Sequence, residues 1–247
     1  VNLARLAPTF HSVSLTFLLA GIFPAGFELQ FKSEINHGLW ILDDRQKEIC
    51  EASSRFCQDP REVIAMVFPE IVRYNYLQDF FETKSLELIY VNLGSREADF
   101  SIGYFQMKAS FVERLEKNIV RFRSYFPELA FIAKYESLNE NEIRRQRIDR
   151  MKTFEWQLNY AFAFYILASA CFDEEHFESQ SAQVGFLATA YNLGFSAKVP
   201  QIRAWTKIKA FPFGKKFRGD QWSYAELSSA FYENWQPAWT CEGFFNN

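Results

Sequence analysis

Apolar side chains recur three and four residues apart through much of this chain, the spacing that lines one face of an α-helix. Val63, Ile64, Val67, Phe68 and Ile71 follow it, and so do Phe111, Val112, Leu115, Ile119 and Phe122. Met151, Phe154, Leu158, Phe162 and Tyr165 make a third such series. No sustained apolar–polar alternation competes with these stretches. The low counts of Gly (10) and Pro (8) in 247 residues agree, because a turn-dense β-sandwich uses more of both. The expected fold class is therefore mainly α, in a single domain running from about residue 40 to the end, without tandem repeat or clear linker.

Local signals place the helices. Leu42 to Phe56 reads as a surface helix whose apolar side is Ile49, Cys50, Phe56 and Cys57. Asp59-Pro60 restarts the chain as an N-cap followed by proline at the first helical position. Pro69 is expected to bend or end that helix, since its ring clashes with the carbonyl four residues back. A further helix covers Leu77 to Tyr90, a loop follows at Asn92 to Ser95, and Gly103 breaks the chain again. The charged stretch Asn139 to Arg150 leads into Tyr165 as one long helix. Gln183 to Tyr191 is closed by Asn192-Leu193-Gly194, and Ser223 with Glu226 forms a capping box for the last helix.

Charge and composition narrow the function. Lys plus Arg total 27 against 30 Asp plus Glu, a net charge of −3, which argues against a dedicated DNA-binding protein. The 28 Phe, 11 Tyr and 6 Trp supply a large core and leave aromatic surface for stacking on flat or sugar-like ligands. Lys198 to Arg218 is a local exception, with seven basic residues, no acid, and Trp205, Phe211, Phe213 and Phe217 interleaved. That mixture suits single-stranded nucleic acid. It equally suits a strand or hairpin at Trp205 to Ala210 on a cleft rim, and the second reading is preferred, with no nucleic-acid partner.

Arg5 precedes an apolar run, Val13 to Phe23, and Pro24-Ala25-Gly26 follows. A weakly basic start, a short apolar stretch and small residues resemble a secretory signal, so residues 1–25 are expected to act in export to the periplasm or cell envelope. The run is short of the roughly 20 residues a membrane span needs, and no integral span is expected. Cys50 and Cys57, two turns apart on one helix and roughly 10 Å along its axis, are beyond disulfide reach of each other. With no CxxC and only His11, His37 and His176, no metal or other cofactor is expected, and the cysteines read as small buried hydrophobes.

Three separated pieces carry chemistry. Asp59 to Glu70 is a hydrophobic helix delivering a carboxylate, with Met66 and Val67 on the Glu70 face. Apolar company raises a carboxyl pKa, which suits a general acid at neutral pH. Ser101-Ile102-Gly103-Tyr104-Phe105-Gln106-Met107 is a glycine turn leading to a phenol and an amide that can bind sugar hydroxyls or an acetamido group. Ala190-Tyr191-Asn192-Leu193-Gly194 presents a second phenol and amide at a helix end.

In this order, over roughly Pro60 to Gly194, the pieces resemble the soluble lytic transglycosylase and goose-type lysozyme superfamily. That family has a catalytic Glu at the end of a hydrophobic helix, then a Gly-Leu-Met-Gln segment, then Tyr-Asn-Ala-Gly. The resemblance implies a lysozyme-like domain of the transglycosylase type, with a catalytic core at about 60–195. It makes Glu70 the catalytic acid and base, and gives Ser101, Gly103, Tyr104, Gln106, Met107, Tyr191 and Asn192 to substrate binding, with Tyr191 near Glu70 or the scissile sugar. This chain has Ile71 where the family has Ser or Thr, Pro69 before the Glu, Tyr104-Phe105 for Leu-Met, and a longer stretch between Glu70 and Gln106.

The implied partner is the peptidoglycan glycan strand, cleaved at the bond between N-acetylmuramic acid and N-acetylglucosamine with a 1,6-anhydro end. Two other readings stay open. A carboxylate among Asp79, Glu82, Glu87, Glu97 and Asp99 facing Glu70 would make an inverting hydrolase, Glu97 and Asp99 being the better placed. The third is a glycan-binding module of the same fold without catalysis.

Overall fold

The computed structural model describes residues 23–24, 26–77, 83–194 and 196–241. The described chain is mainly helical. A short helix α1 (Phe27–Gln30) leads into α2 (Lys32–Asp44), α3 (Gln46–Phe56) and α4 (Pro60–Leu77). After α5 (Thr83–Leu93) comes a two-stranded hairpin, β1 (Ser101–Ile102) and β2 (Met107–Lys108). Then follow α6 (Ala109–Arg121), a 3-10 segment (Pro127–Ala133), α7 (Glu140–Lys152) and α8 (Phe154–Cys171). The chain closes with α9 (Gln180–Leu193), α10 (Val199–Trp205) and α11 (Tyr224–Asn234). Among the described residues no helix is long and apolar enough to cross a membrane.

Helix starts follow the expected side-chain caps. Asp59 Oδ1 accepts from the Arg61 amide at 2.8 Å, and Ser223 Oγ accepts from the Glu226 amide at 3.0 Å. Three helix bounds differ from expectation. α4 does not end at Pro69 but runs on to Leu77. An interior proline costs about 3 kcal/mol, whereas burying one large apolar side chain returns about 1.5–3 kcal/mol. Phe68, Ile71 and Val72 flank Pro69 and are almost fully buried, and Phe68 stacks on Phe231 with centroids 3.7 Å apart. Gly38 lets α2 close on this stretch, since a Cβ there would stand 3.2 Å from Ile71 Cγ2.

The expected long helix from Asn139 to Tyr165 is two helices, α7 and α8, parted at Thr153. Thr153 takes an extended conformation and its Oγ1 accepts from the Trp156 amide, a local bond that competes with helix continuation. The new start frees α8 to become the central helix, buried on nearly every side. The Leu42 to Phe56 stretch is likewise split, α2 ending at Asp44 before α3 begins.

The packed domain begins before residue 40. Phe27, Phe31 and Ile35 are buried, and α2 packs along α4. Phe23 is buried as well, its ring centroid 5.1 Å from Phe27 and 5.9 Å from Phe68. A cut after Ala25 would remove that ring from the core. The earlier part of the export segment, including Arg5 and most of Val13 to Phe23, lies outside the described residues.

The cysteine expectation is corrected. Cys50 and Cys241 form a disulfide across 191 residues, tying α3 to the segment after α11, while Cys57 and Cys171 are free and exposed. Cys57 ends α3 in the left-handed region at φ 50° rather than filling the core. Sequence spacing excluded only the Cys50–Cys57 pair; the approach of Cys241 is a product of the tertiary fold.

Candidate active site

The hairpin is shaped by its turn. Ser101 pairs with Lys108 and Ile102 with Met107, and the chain reverses through Gly103 at φ 70° and Gln106 at φ 48°. Gly103 is required twice over: by that backbone, and because a Cβ there would lie 1.9 Å from Gln157 Nε2. Gln157, fully buried on α8, accepts from the Phe105 amide at 2.8 Å and donates to the Met151 carbonyl at 2.8 Å. Tyr191 on α9 donates to the Phe105 carbonyl at 2.9 Å. Both polar groups of the Phe105 backbone are thus held by side chains from neighbouring helices.

The Gln106 amide nitrogen donates to Gly103 O at 2.9 Å, which leaves Oε1 buried with no partner. A buried acceptor without a donor carries a penalty of about 1–3 kcal/mol, so it marks a place where a ligand N–H or O–H gains.

Glu70 occupies the interior of α4, not its end, and is 3% exposed. Met66 and Val67 are buried beside it as expected, but the carboxylate's immediate company is polar. Asn192 Nδ2 reaches Oε1 at 3.5 Å, and Arg73 Nη2 stands 3.0 Å from Oε2, an ion-pair contact without hydrogen-bond alignment. Arg73 sits at i+3 on the same helix face, which is why continuing α4 past Pro69 matters. Its Nη1 donates to the Tyr224 hydroxyl at 3.1 Å, while its Nε is buried without a partner. Burial pushes the Glu70 carboxyl above its ordinary range; Arg73, Tyr224, Asn192 and Lys108 pull the other way without cancelling it. Burial also raises the Tyr191 phenol, and the Glu70 charge adds to this.

Glu70, Ser101, Gln106, Met107, Tyr191 and Asn192 line one cavity of about 320 Å³, together with Arg73, Asp99, Lys108 and Arg114. Gly103 and Tyr104 are not brought to it. Gly103 faces Gln157, and the Tyr104 ring packs between Tyr74 and Phe154, at centroid distances of 4.9 and 5.5 Å. Tyr191 lines the cavity with its hydroxyl already spent on Phe105, not on Glu70.

Of the three further carboxylates among the described residues, Glu87, Glu97 and Asp99, only Asp99 lines the cavity, and its two oxygens accept from the Ser110 amide and hydroxyl at 3.0 and 2.8 Å. Glu87 pairs with Lys152 at 2.7 Å, and Glu97 is exposed; Asp79 and Glu82 lie outside the described residues.

Arg73, Tyr224 and Gln157 escaped the sequence reading. Gln157 had a signal, a polar residue inside the apolar run of α8; Tyr224, 154 positions after Glu70, had none. The basic stretch after Lys198 is not the expected strand: Trp205 ends α10, and only Phe211 bridges, to Trp222. Lys215 Nζ lies 4.3 Å over the Trp205 ring, and Arg203 pairs with Glu175. Among the described residues no group of three or more His, Cys, Asp or Glu side chains is arranged to hold a metal ion.

No protein-family model, curated protein or solved structure matches this chain, so a functional reading rests on the site itself.

Proposed function

We propose that this chain is a lysozyme-like lytic transglycosylase of peptidoglycan with Glu70 as its catalytic acid and base. One observation supports it above others: Glu70, Gln106 and the Tyr191-Asn192 pair, drawn from three distant stretches, line the same cavity. A carboxyl pushed up by burial stays protonated nearer neutral pH, as a general acid must.

Glu70 gives its proton to the glycosidic oxygen as the bond from the muramyl anomeric carbon breaks. The substrate's acetamido oxygen assists at that carbon, so a second protein carboxylate is not needed. The Glu70 carboxylate then takes the proton of the muramyl C6 hydroxyl, whose oxygen bonds to the anomeric carbon as the acetamido oxygen leaves it, closing the 1,6-anhydro ring. The Gln106 Oε1 acceptor is suited to a substrate N–H or O–H. Such a substrate puts the work of this protein in the periplasm or cell envelope.

Asp99 in the same cavity favours hydrolysis as the second reading. Mass spectrometry of muropeptides released from purified peptidoglycan separates them. Anhydro ends are expected; reducing ends would make the chain a lysozyme, and binding without release a glycan-binding module.

A further inference from the structure

Arg73 is a cation in a site whose acid needs a proton, and its place there asks for a reason. It is anchored from two sides: α4 fixes its backbone one turn beyond Glu70, and Tyr224 on α11 accepts from Nη1 at 3.1 Å. Its Nη2 is thereby held 3.0 Å from Glu70 Oε2. The guanidinium is four-fifths buried and stays charged, Glu70 and Tyr224 outweighing its burial.

We infer that Arg73, braced by Tyr224, is a positioning residue that holds the Glu70 carboxylate in place as negative charge develops on it during proton donation. This rests on the acid role proposed for Glu70. When the protonated carboxyl gives up its proton, the charge appears beside a fixed cation rather than among apolar groups, and a preorganised cation needs no rearrangement at that moment. Tyr224 keeps the guanidinium from swinging into the cavity, which Arg73 also lines.

Among the described residues, α9 brings Asn192 and the Tyr191 phenol to Glu70, and β2 brings Lys108. Asp99 and Arg114 line the same cavity, Asp99 with its oxygens bonded to Ser110. α2 meets α4 here through Gly38, against Phe68 and Ile71. From α8 the titratable contact with α4 is Tyr165 to Glu62, two turns away. Arg73 is the first of these in its pull on the carboxyl.

The test is the pH profile of kcat/KM on purified peptidoglycan for wild type, Arg73→Met, Arg73→Lys and Tyr224→Phe. It is paired with titration of the Glu70 side-chain carbon in 13C-labelled protein, assigned by its loss in Glu70→Gln. With Arg73→Met the carboxyl should titrate at higher pH, the alkaline limb should move up with it, and kcat should fall while KM holds. Arg73→Lys should restore most of the shift, and Tyr224→Phe, which removes a direct contact with Glu70 as well as the brace on Arg73, should move the titration the same way by less. An unmoved titration in Arg73→Met overturns the inference, as does a loss of activity equal at every pH and not rescued by lysine. If Arg73→Met does not fold, Arg73→Gln takes its place, and an unmoved titration in that variant overturns the inference equally. Full activity of Glu70→Gln would instead overturn the acid role, while the carbon titration would still report whether Arg73 acts on the carboxyl.

Discussion

Two buried acid–arginine pairs sit among the described residues, and they are finished differently. In the first, Arg147 donates through Nε and Nη2 to Glu116 Oε2 at 3.0 and 2.6 Å, and through Nη1 to the Tyr90 hydroxyl at 2.7 Å. Tyr135 and Tyr160 donate to Glu116 Oε1, while Tyr90 and Ser95 donate to Glu113. None of these side chains has a buried polar atom without a partner. The cluster ties α5, α6, α7 and α8 together. In the second, at Glu70 and Arg73, the arginine Nε and the nearby Gln106 Oε1 are left unpartnered. The larger cavity, about 500 Å³, lies over the first cluster, so size does not distinguish them. Groups that bond to one another in a closed network brace the fold, whereas polar atoms left over beside a cavity can bond what enters it.

If that contrast holds, the two acids should fail in opposite ways. Glu70→Gln keeps shape but cannot carry a proton, so turnover of peptidoglycan should fall about 10²–10⁴-fold or more with folding intact. Wild-type turnover in that variant would erase the distinction. Next in size, Arg147→Met strands Glu116 without its cation and should cost about 3–5 kcal/mol in urea unfolding, with the folded fraction as active as wild type. A selective loss of activity with unchanged stability would reverse the roles of the two clusters.

Gly103→Ala probes the link between the regions, because Gln157 on the braced helix α8 holds the hairpin of the cavity. The new Cβ meets Gln157 at a backbone conformation that disfavours it, so a loss of about 1–3 kcal/mol and a displaced hairpin are expected. Thermal unfolding and a glycan-binding titration read this together, and no change in either would show that the hairpin is not held from α8. The smallest effect is expected from Tyr191→Phe. It removes one hydrogen bond to the Phe105 carbonyl, worth about 1 kcal/mol, with a smaller fall in turnover than Glu70→Gln. A turnover loss as large as that of Glu70→Gln would mean Tyr191 takes part in the proton transfer itself.

The sequence alone determined the mainly α class, the helix starts at Asp59-Pro60 and Ser223, and the pieces that meet at the cavity. These follow from periodicity, capping chemistry and short motifs, all of which act within a few residues. The break at Thr153 has a local cause, its side-chain cap, which the apolar periodicity masked. Only the tertiary structure decided that α4 passes through Pro69 and that Cys50 meets Cys241. It also decided that Arg73 and Tyr224 flank Glu70 while Tyr104 turns away from the cavity to pack on Tyr74 and Phe154. The reason is one of magnitude and range. A local preference is worth at most about 3 kcal/mol even for an interior proline, whereas several large side chains buried together outweigh it. Partners 150 residues apart leave no local spacing to read, because packing alone brings them together.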